Sequence, residues 1–238
     1  RTTIRRAPRL PTEMVILSAH VTVIGGGLAG SEAAFQLASR RLEVDLYEMR
    51  PKSSSAAHHT DRLAELVCSN SLKSDDPDTA AGMLKRELEA MGSLVLAAAR
   101  ATAVPAGGAL AVDRDAFSAL VTSVLAEMPT AHILREEMCS LPEGDVIVAS
   151  GPLTAGGLSS ALSRLVGEAR LAFFDAVAPI VDADSIDRGR VFAASRYDKG
   201  GGADYRNCPM DRGEYLTLID ALASARRVRP REFEPSEL

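Results

Sequence analysis

The residues with chemical potential in this chain are its thiols, a pair of loop histidines and a carboxylate that follows a glycine-rich turn. Cys208 lies in a basic stretch flanked by Arg206 and Arg212. Positive charge beside a thiol favours the thiolate, which is the form that attacks carbon. Cys68 lies in Glu65-Leu66-Val67-Cys68-Ser69-Asn70-Ser71, inside a long polar segment. Cys139 has no polar cluster in its neighbourhood and reads as a small buried hydrophobe. His58 and His59 are adjacent, so on an extended chain they point to opposite sides and do not share one metal ion. No metal site is expected, and His20 and His132 read as structural.

The carboxylate is Glu48, the last residue of Val44-Asp45-Leu46-Tyr47-Glu48. It follows Val21-Thr22-Val23-Ile24-Gly25-Gly26-Gly27-Leu28-Ala29-Gly30, and 18 residues separate Gly30 from Glu48. The pattern predicts a strand, a glycine turn, a helix and a second strand ending in an acid. Gly25 permits the tight turn, Gly27 lets a pyrophosphate approach the backbone, and Gly30 lets the helix pack closely on the strand. The amides at the start of the helix bind phosphate, and Glu48 accepts hydrogen bonds from the ribose of an adenosine. Small residues along the helix, Ala34 and Ala38, fit close packing on a sheet. This segment alone leaves FAD and NAD both open.

The elements that position these groups are set by a chain of 238 residues, 46% hydrophobic and 25% charged, with net charge −5. That is a globular composition, and apolar runs such as Leu94 to Ala99 stop well short of the ~20 residues a spanning helix needs, so no membrane is expected. Three widely spaced cysteines without a C-x-x-C pattern predict neither a disulfide framework nor a zinc ribbon, and point to a reducing, cytoplasmic setting. The absence of Trp disfavours a base-stacking platform. The segment 188–212 nevertheless holds six basic residues against three acids, a local excess suited to phosphate contacts.

Residues 1–20 read as a solvated, arginine-rich arm. After the second strand, Arg50 to Asp78 reads as a long functional excursion. Asp78 is expected to cap a helix from about Thr79 through Leu84, Leu88, Met91 and Val95. A Pro105/Gly107/Gly108 turn leads to a strand over Ala109 to Val112, and Asp113 caps a helix from Asp115 to Met128. Strands follow over Ala131 to Arg135 and over Asp145 to Ala149, the latter read as buried and ending in a Ser150-Gly151 turn at the carboxyl edge of a parallel sheet. A helix over Leu158 to Val166 and strands over Leu171 to Phe174 and Ala176 to Val181 come next. Beyond Asp182 the periodicity fades into a loop-rich region, with a last helix from Glu214 to about Arg226.

Five segments in order carry a resemblance. They are Gly25 to Gly30; Ala57-His58-His59-Thr60-Asp61 with Glu65 to Leu72; Ser150-Gly151-Pro152-Leu153-Thr154; Phe174 to Ile186; and Tyr205-Arg206-Asn207-Cys208-Pro209-Met210. Together they resemble the folate- and FAD-dependent tRNA (uracil-5-)-methyltransferases, from Val21 to Tyr215. The resemblance implies an α/β fold, with a Rossmann-like FAD-binding domain over 21–175 and the start of an inserted α+β substrate domain over 176–238. Members of the family are longer, and the returning half that covers their flavin lies outside these residues.

The resemblance also implies the chemistry. A one-carbon unit from methylenetetrahydrofolate is installed on carbon 5 of the T-loop uridine of tRNA, with NADPH or NADH as reductant. By position, FAD would be held by Gly25, Gly26, Gly27, Leu28, Ala29, Gly30 and Glu48. Cys208 would attack carbon 6 of the uracil, and Cys68 would act on the carbon 5 proton or shape the flavin site. Arg196, Lys199 and Arg206 would contact RNA. Two other readings stay open: a truncated FAD-binding paralogue with a binding or regulatory role, and a flavoprotein relative that modifies the wobble uridine.

Overall fold

The computed structural model of the chain describes residues 20–55, 57–67, 69–152, 154, 156–167, 181–195 and 202–226. The glycine pattern resolves into β1 (His20–Ile24), α1 (Leu28–Ser39) and β2 (Glu43–Tyr47), a parallel strand-helix-strand unit in which Val23 pairs with Leu46. β6 (Ala131–Leu134) adds in parallel beside β2, and β7 (Asp145–Val148) in parallel on the other side of β1, so the strand order is β6-β2-β1-β7. The fold class is the expected one, α/β with a parallel sheet. Connections from β1 leave in one direction, toward β2, while β7 lies on the opposite flank. The carboxyl end of β1 is therefore the place where such sheets open a crevice.

The core gathers Val23, Val44 and Leu46 of the sheet with Ala34 of α1. It also takes Leu94, Ala98 and Ala99 of α3 (Leu94–Ala101), and Phe117, Val121 and Leu125 of α4 (Arg114–Ala126). Asp113 caps α4 by accepting from the Ala116 amide at 2.9 Å, as its position predicts. A second, antiparallel sheet orders β3 (Ser71–Ser74), β5 (Ala109–Val112) and β4 (Ala103–Val104) as β3-β5-β4. The expected strand over Ala109 to Val112 is β5, whereas β3 lies inside the segment read as pure excursion.

The single helix expected from Thr79 to Val95 is two, α2 (Ala80–Ala90) and α3. Gly92 takes φ +75° and ends the first. Ser93 caps the second by accepting from the Leu96 amide at 3.1 Å. The cap of α2 is Thr79 rather than Asp78, its hydroxyl accepting from Gly82 at 3.1 Å. The break is held from outside: Glu32 of α1 accepts from the amides of Leu94 and Val95 and from the Ser93 hydroxyl, at 3.3, 2.9 and 2.9 Å. A carboxylate beside the first amides of a helix stabilises it, and this one comes from about sixty residues away in sequence.

β7 differs from its expected burial. Ile147 and Val148 are exposed, because among the described residues the strand pairs only with β1 and forms an edge of the sheet. Cys139 is exposed as well, against the expected buried hydrophobe; its backbone passes the start of α5 (Gly156–Val166), where a Cβ on Gly157 would lie 2.9 Å from the Cys139 Cβ. The expected strands over 171–174 and 176–181, save Val181, fall outside the described residues, as does the arm over 1–20 save His20, which opens β1.

Beyond residue 181 the loop-rich expectation is replaced by an antiparallel hairpin, β8 (Phe192–Ala194) and β9 (Tyr205–Asn207), followed by α6 (Arg212–Ser224). α6 starts two residues earlier than its apolar pattern suggests. The reason is a reciprocal cap: Asp211 accepts from the Glu214 amide at 2.8 Å while Glu214 accepts from the Asp211 amide at 3.1 Å. No helix among the described residues is long and apolar enough to cross a membrane.

Candidate functional site

A cavity of about 380 Å³ opens at the carboxyl ends of β1, β2 and β7, and its floor is the glycine turn with the first residues of α1. The four glycines there divide into two kinds. Gly25 takes φ +104° and faces the chain after β7, where a Cβ would stand 2.6 Å from the Ala149 carbonyl oxygen. On Gly26 a Cβ would meet Leu63 and the Glu48 carboxylate at 2.5 and 2.8 Å, and on Gly30 the Gly25 carbonyl oxygen at 1.8 Å. Packing alone requires these three. Gly27 has ordinary backbone angles, φ −71° and ψ −168°, and a Cβ there would meet nothing within 4 Å. Its lack of a side chain leaves room on the cavity side, the room a ligand needs to reach the backbone.

Gly27 is also the N-cap of α1; no side chain caps the helix, and no acid occupies its first turn. The partial positive charge of the helix start is thus directed at the cavity with neither a capping side chain nor a first-turn acid against it; the Glu48 carboxylate bonds the Gly26 amide just before it. That is the arrangement in which a helix end takes a phosphate or diphosphate.

Glu48, at the end of β2, is nearly fully buried. Its Oε1 accepts from the side-chain Nε and the amide of Arg50, at 2.7 and 3.0 Å, and its Oε2 accepts from the Gly26 amide at 2.9 Å. A carboxylate oxygen carries two lone pairs, so Oε1 is saturated and Oε2 keeps one acceptor position. Glu48 does two things: it pins the glycine turn from beneath and has one acceptor left for a hydroxyl. Burial by itself would raise its carboxyl. The hydrogen bonds and charge of Arg50 and the bond from Gly26 outweigh that and hold it below the ordinary value.

Sequence reasoning missed Arg50, among the most buried large side chains in the molecule. Beyond Glu48, its guanidinium donates to Glu65 Oε2 at 2.7 Å and to the Thr60 carbonyl at 3.2 Å. Glu65 in turn accepts from the amides of His59 and Thr60 and from the Thr60 hydroxyl. Despite its partial burial, these contacts together with Arg50 keep its carboxyl low. One buried cation held by two carboxylates ties Arg50 to Thr60 and Glu65, so that His58, Glu65 and Leu66 of the excursion stand in the cavity wall. The signal in sequence was an arginine two residues after the acid, Glu48-Met49-Arg50, whose partner Glu65 is far along the chain.

His58 lines the cavity with Nδ1 2.7 Å from the Ser55 hydroxyl. Burial, and then the charge of Arg50, hold its pKa below the ordinary 6.5, so the ring is neutral at neutral pH. His59 is not among the lining residues, and its amide donates to Glu65 at 2.9 Å. His20 and His132 pair with Asp45 and Glu43 at 3.0 Å on neighbouring strands, in keeping with structural roles. On the far wall Ser150 and Thr154 share a hydrogen bond of 2.7 Å.

The structure therefore brings together Gly25, Gly26, Gly27, Leu28, Ala29 and Glu48 at one cavity, with Gly30 closing the turn behind it. Cys208 is not among the lining residues; it follows β9 on the hairpin and is exposed. Arg206 is on β9, also exposed. Cys68, Arg196 and Lys199 fall outside the described residues, although Val67 and Ser69, on either side of Cys68, line the cavity.

Comparison with known proteins decides the family. A family model described as glucose inhibited division protein A matches residues 20–237. The chain belongs to this family. Within it, the methyltransferase resemblance is borne out by curated relatives. Methylenetetrahydrofolate--tRNA-(uracil-5-)-methyltransferase TrmFO of Azorhizobium caulinodans is 56% identical over 222 residues, which cover 90% of this chain and 47% of that protein. The protein of the same name from Paramagnetospirillum magneticum is 57% identical over 218 residues, covering 90% and 49%. The chain spans about half the length of these relatives. A solved structure of Aquifex aeolicus GidA overlaps 58% of this chain and 26% of its own, at 17% identity and a TM-score of 0.45, a likeness too slight to carry an argument.

Proposed function

We propose that this chain is the nucleotide-holding part of a folate-dependent tRNA (uracil-5-)-methyltransferase, with FAD in the cavity, methylenetetrahydrofolate as carbon donor, NADPH or NADH as reductant and the T-arm of tRNA as substrate. The observation that carries the reading is the uncapped start of α1 at Gly27, open to a cavity whose wall holds Glu48. The amides of Gly27, Leu28 and Ala29 hold the diphosphate, and the remaining acceptor of Glu48 Oε2 takes a ribose hydroxyl. When bound, the flavin supplies the redox chemistry of the transfer.

We assign the thiols by their positions in the motifs that carry the family resemblance. Cys208 forms a bond from sulfur to carbon 6 of the uracil, and the electron pair of the 5,6 double bond moves toward carbon 5, which becomes the nucleophile. Carbon 5 then bonds to the one-carbon unit and the folate nitrogen leaves; loss of the carbon 5 proton, hydride from the reductant to the new carbon and departure of the thiolate restore the double bond, and Cys68 is assigned to that proton. Arg196, Lys199 and Arg206 are assigned to RNA phosphates.

Titrating the purified chain with FAD tests the site: saturable binding with a perturbed flavin spectrum is expected. Gly27→Val should weaken it by at least tenfold without moving the unfolding midpoint, since that Cβ clashes with no protein atom. Binding equal to wild type in Gly27→Val would remove the helix start from the site. For the nucleophile, T-arm RNA containing 5-fluorouracil should trap an adduct that Cys208→Ala abolishes and Cys139→Ala does not. A second reading, FAD binding without turnover, is favoured by the exposed place of Cys208 away from the cavity. It predicts flavin uptake with no adduct.

A further inference from the structure

The hairpin bearing Cys208 is fastened to the rest of the molecule at a turn to which no role has been given. Tyr205, the first residue of β9, donates its hydroxyl to the Ala106 carbonyl at 2.8 Å. Next to it, Asp204 Oδ2 accepts from the Gly107 amide at 2.5 Å. The partners lie 99 and 97 residues apart, and both belong to the turn between β4 and β5. Gly107 takes φ +59°, a conformation that suits glycine.

From that turn a run of hydrogen bonds leads to the cavity. The Gly108 carbonyl accepts from the Asp75 amide, just past β3, at 2.9 Å. β5 pairs antiparallel with β3. Asn70, which enters β3, exchanges two bonds with Val112 of β5: its carbonyl accepts from the Val112 amide at 3.0 Å, and its side-chain amide donates to the Val112 carbonyl at 3.1 Å. The residue before it, Ser69, lines the cavity. On the hairpin side, Tyr205 pairs with Ala194, and the Asn207 side chain donates back to the Ala194 carbonyl at 3.3 Å. Cys208 is three residues beyond Tyr205, within about 10 Å of chain even if fully extended.

We propose that Asp204 and Tyr205 are positioning residues: by latching β9 onto the Ala106–Gly107 turn they set the place of the Cys208 thiol relative to the cavity rim. The inference rests on the reading of Cys208 as the nucleophile. A displacement of about 1 Å at a reacting group can cost a hundredfold in rate, so a latch made of two directional bonds next to the thiol bears directly on the addition step.

The test uses the FAD-supplemented chain and Asp204→Ala, Tyr205→Phe, the double variant and Asp204→Asn, which keeps an acceptor oxygen. Amide hydrogen exchange over 105–108 reports the latch itself. The rate of the Cys208 adduct with 5-fluorouracil T-arm RNA reports positioning, and alkylation by iodoacetamide reports the intrinsic reactivity of the thiol. Expected are faster exchange in the turn and adduct formation slowed roughly tenfold or more in the double variant, recovery in Asp204→Asn relative to Asp204→Ala, and unchanged alkylation. Unchanged exchange in the double variant overturns the latch. Faster exchange with a wild-type adduct rate overturns the positioning role while Cys208 remains the nucleophile. An adduct absent from the wild type, or surviving Cys208→Ala, overturns the Cys208 reading and the positioning role with it.

Discussion

Residues 20–167 and residues 181–226 are built from equally clear local signals and differ in what holds them. In the first region capped helices and alternating strands converge on a common core, with Val23, Val44, Leu46, Leu94, Phe117, Val121 and Leu125 essentially inaccessible. In the second, none of the described residues is buried, and Tyr215, Leu216, Leu218, Ile219 and Leu222 of α6 are exposed. Yet α6 has a reciprocal cap, Asp211 with Glu214. Capping and propensity write an element locally, while burial decides whether it shares in the cooperative stability of the fold.

The largest effect that would sharpen this contrast is expected at the core. Phe117→Ala should lower unfolding free energy by about 3–5 kcal/mol, whereas Ile219→Ala in α6 should change it by less than ~0.5 kcal/mol. Denaturant unfolding of both variants measures the difference, and a comparable loss in Ile219→Ala would show that α6 is held by more than its own backbone.

Arg50→Ala should cost a similar amount, about 3–5 kcal/mol at pH 7, by leaving Glu48 buried and Glu65 partly buried without their cation. In the wild type both carboxyls sit below their ordinary 4.5. Their contribution is therefore present above pH 4.5 and is lost as pH falls through the folded values. In the variant, Glu48 loses the side-chain hydrogen bond and charge of Arg50 that oppose its burial, so its carboxyl rises and accepts a proton on acidification, while Glu65 keeps the hydrogen bonds from His59 and Thr60 that lower it. The deficit relative to wild type should narrow as pH drops from 7 to 4; a constant deficit would mean that packing, rather than charge, is the contribution of Arg50.

His58 gives a smaller acid effect. Its folded pKa lies below 6.5, so the unfolded chain binds the proton first and stability should decline as pH falls from 6.5. His58→Gln should flatten that slope in unfolding midpoints measured between pH 7 and 5. The smallest expected effect compares two caps. Asp113→Ala should cost about 1 kcal/mol of global stability. Asp211→Ala should leave the global midpoint in place and reduce helical circular dichroism alone. A global loss from Asp211→Ala would erase the distinction between the regions.

Much of the candidate site was legible because the constraints that write it are local. Gly25 needs a positive φ, Gly30 a close approach, and Glu48 a strand end at a fixed distance from the turn. Asp113 was readable for the same reason, since a cap acts within one turn. The break at Gly92-Ser93 was not, because apolar spacing ran smoothly through it and the deciding carboxylate, Glu32, belongs to α1. The edge position of β7 was hidden in the same way: an apolar run has the same composition whether one neighbour or two lie beside it.

By itself, the sequence determined the parallel strand-turn-helix-strand unit, the acid at its end and the Asp113 cap of α4, since turn geometry, capping and periodicity act over a few residues. Only the tertiary structure decided that Arg50 neutralises Glu48 and Glu65 inside the molecule, that Ile147, Val148 and Cys139 lie at the surface, and that the Cys208 hairpin meets the Ala106–Gly107 turn. Each of these depends on groups far apart along the chain, whose desolvation and hydrogen-bond partners exist only once the fold has brought them within reach.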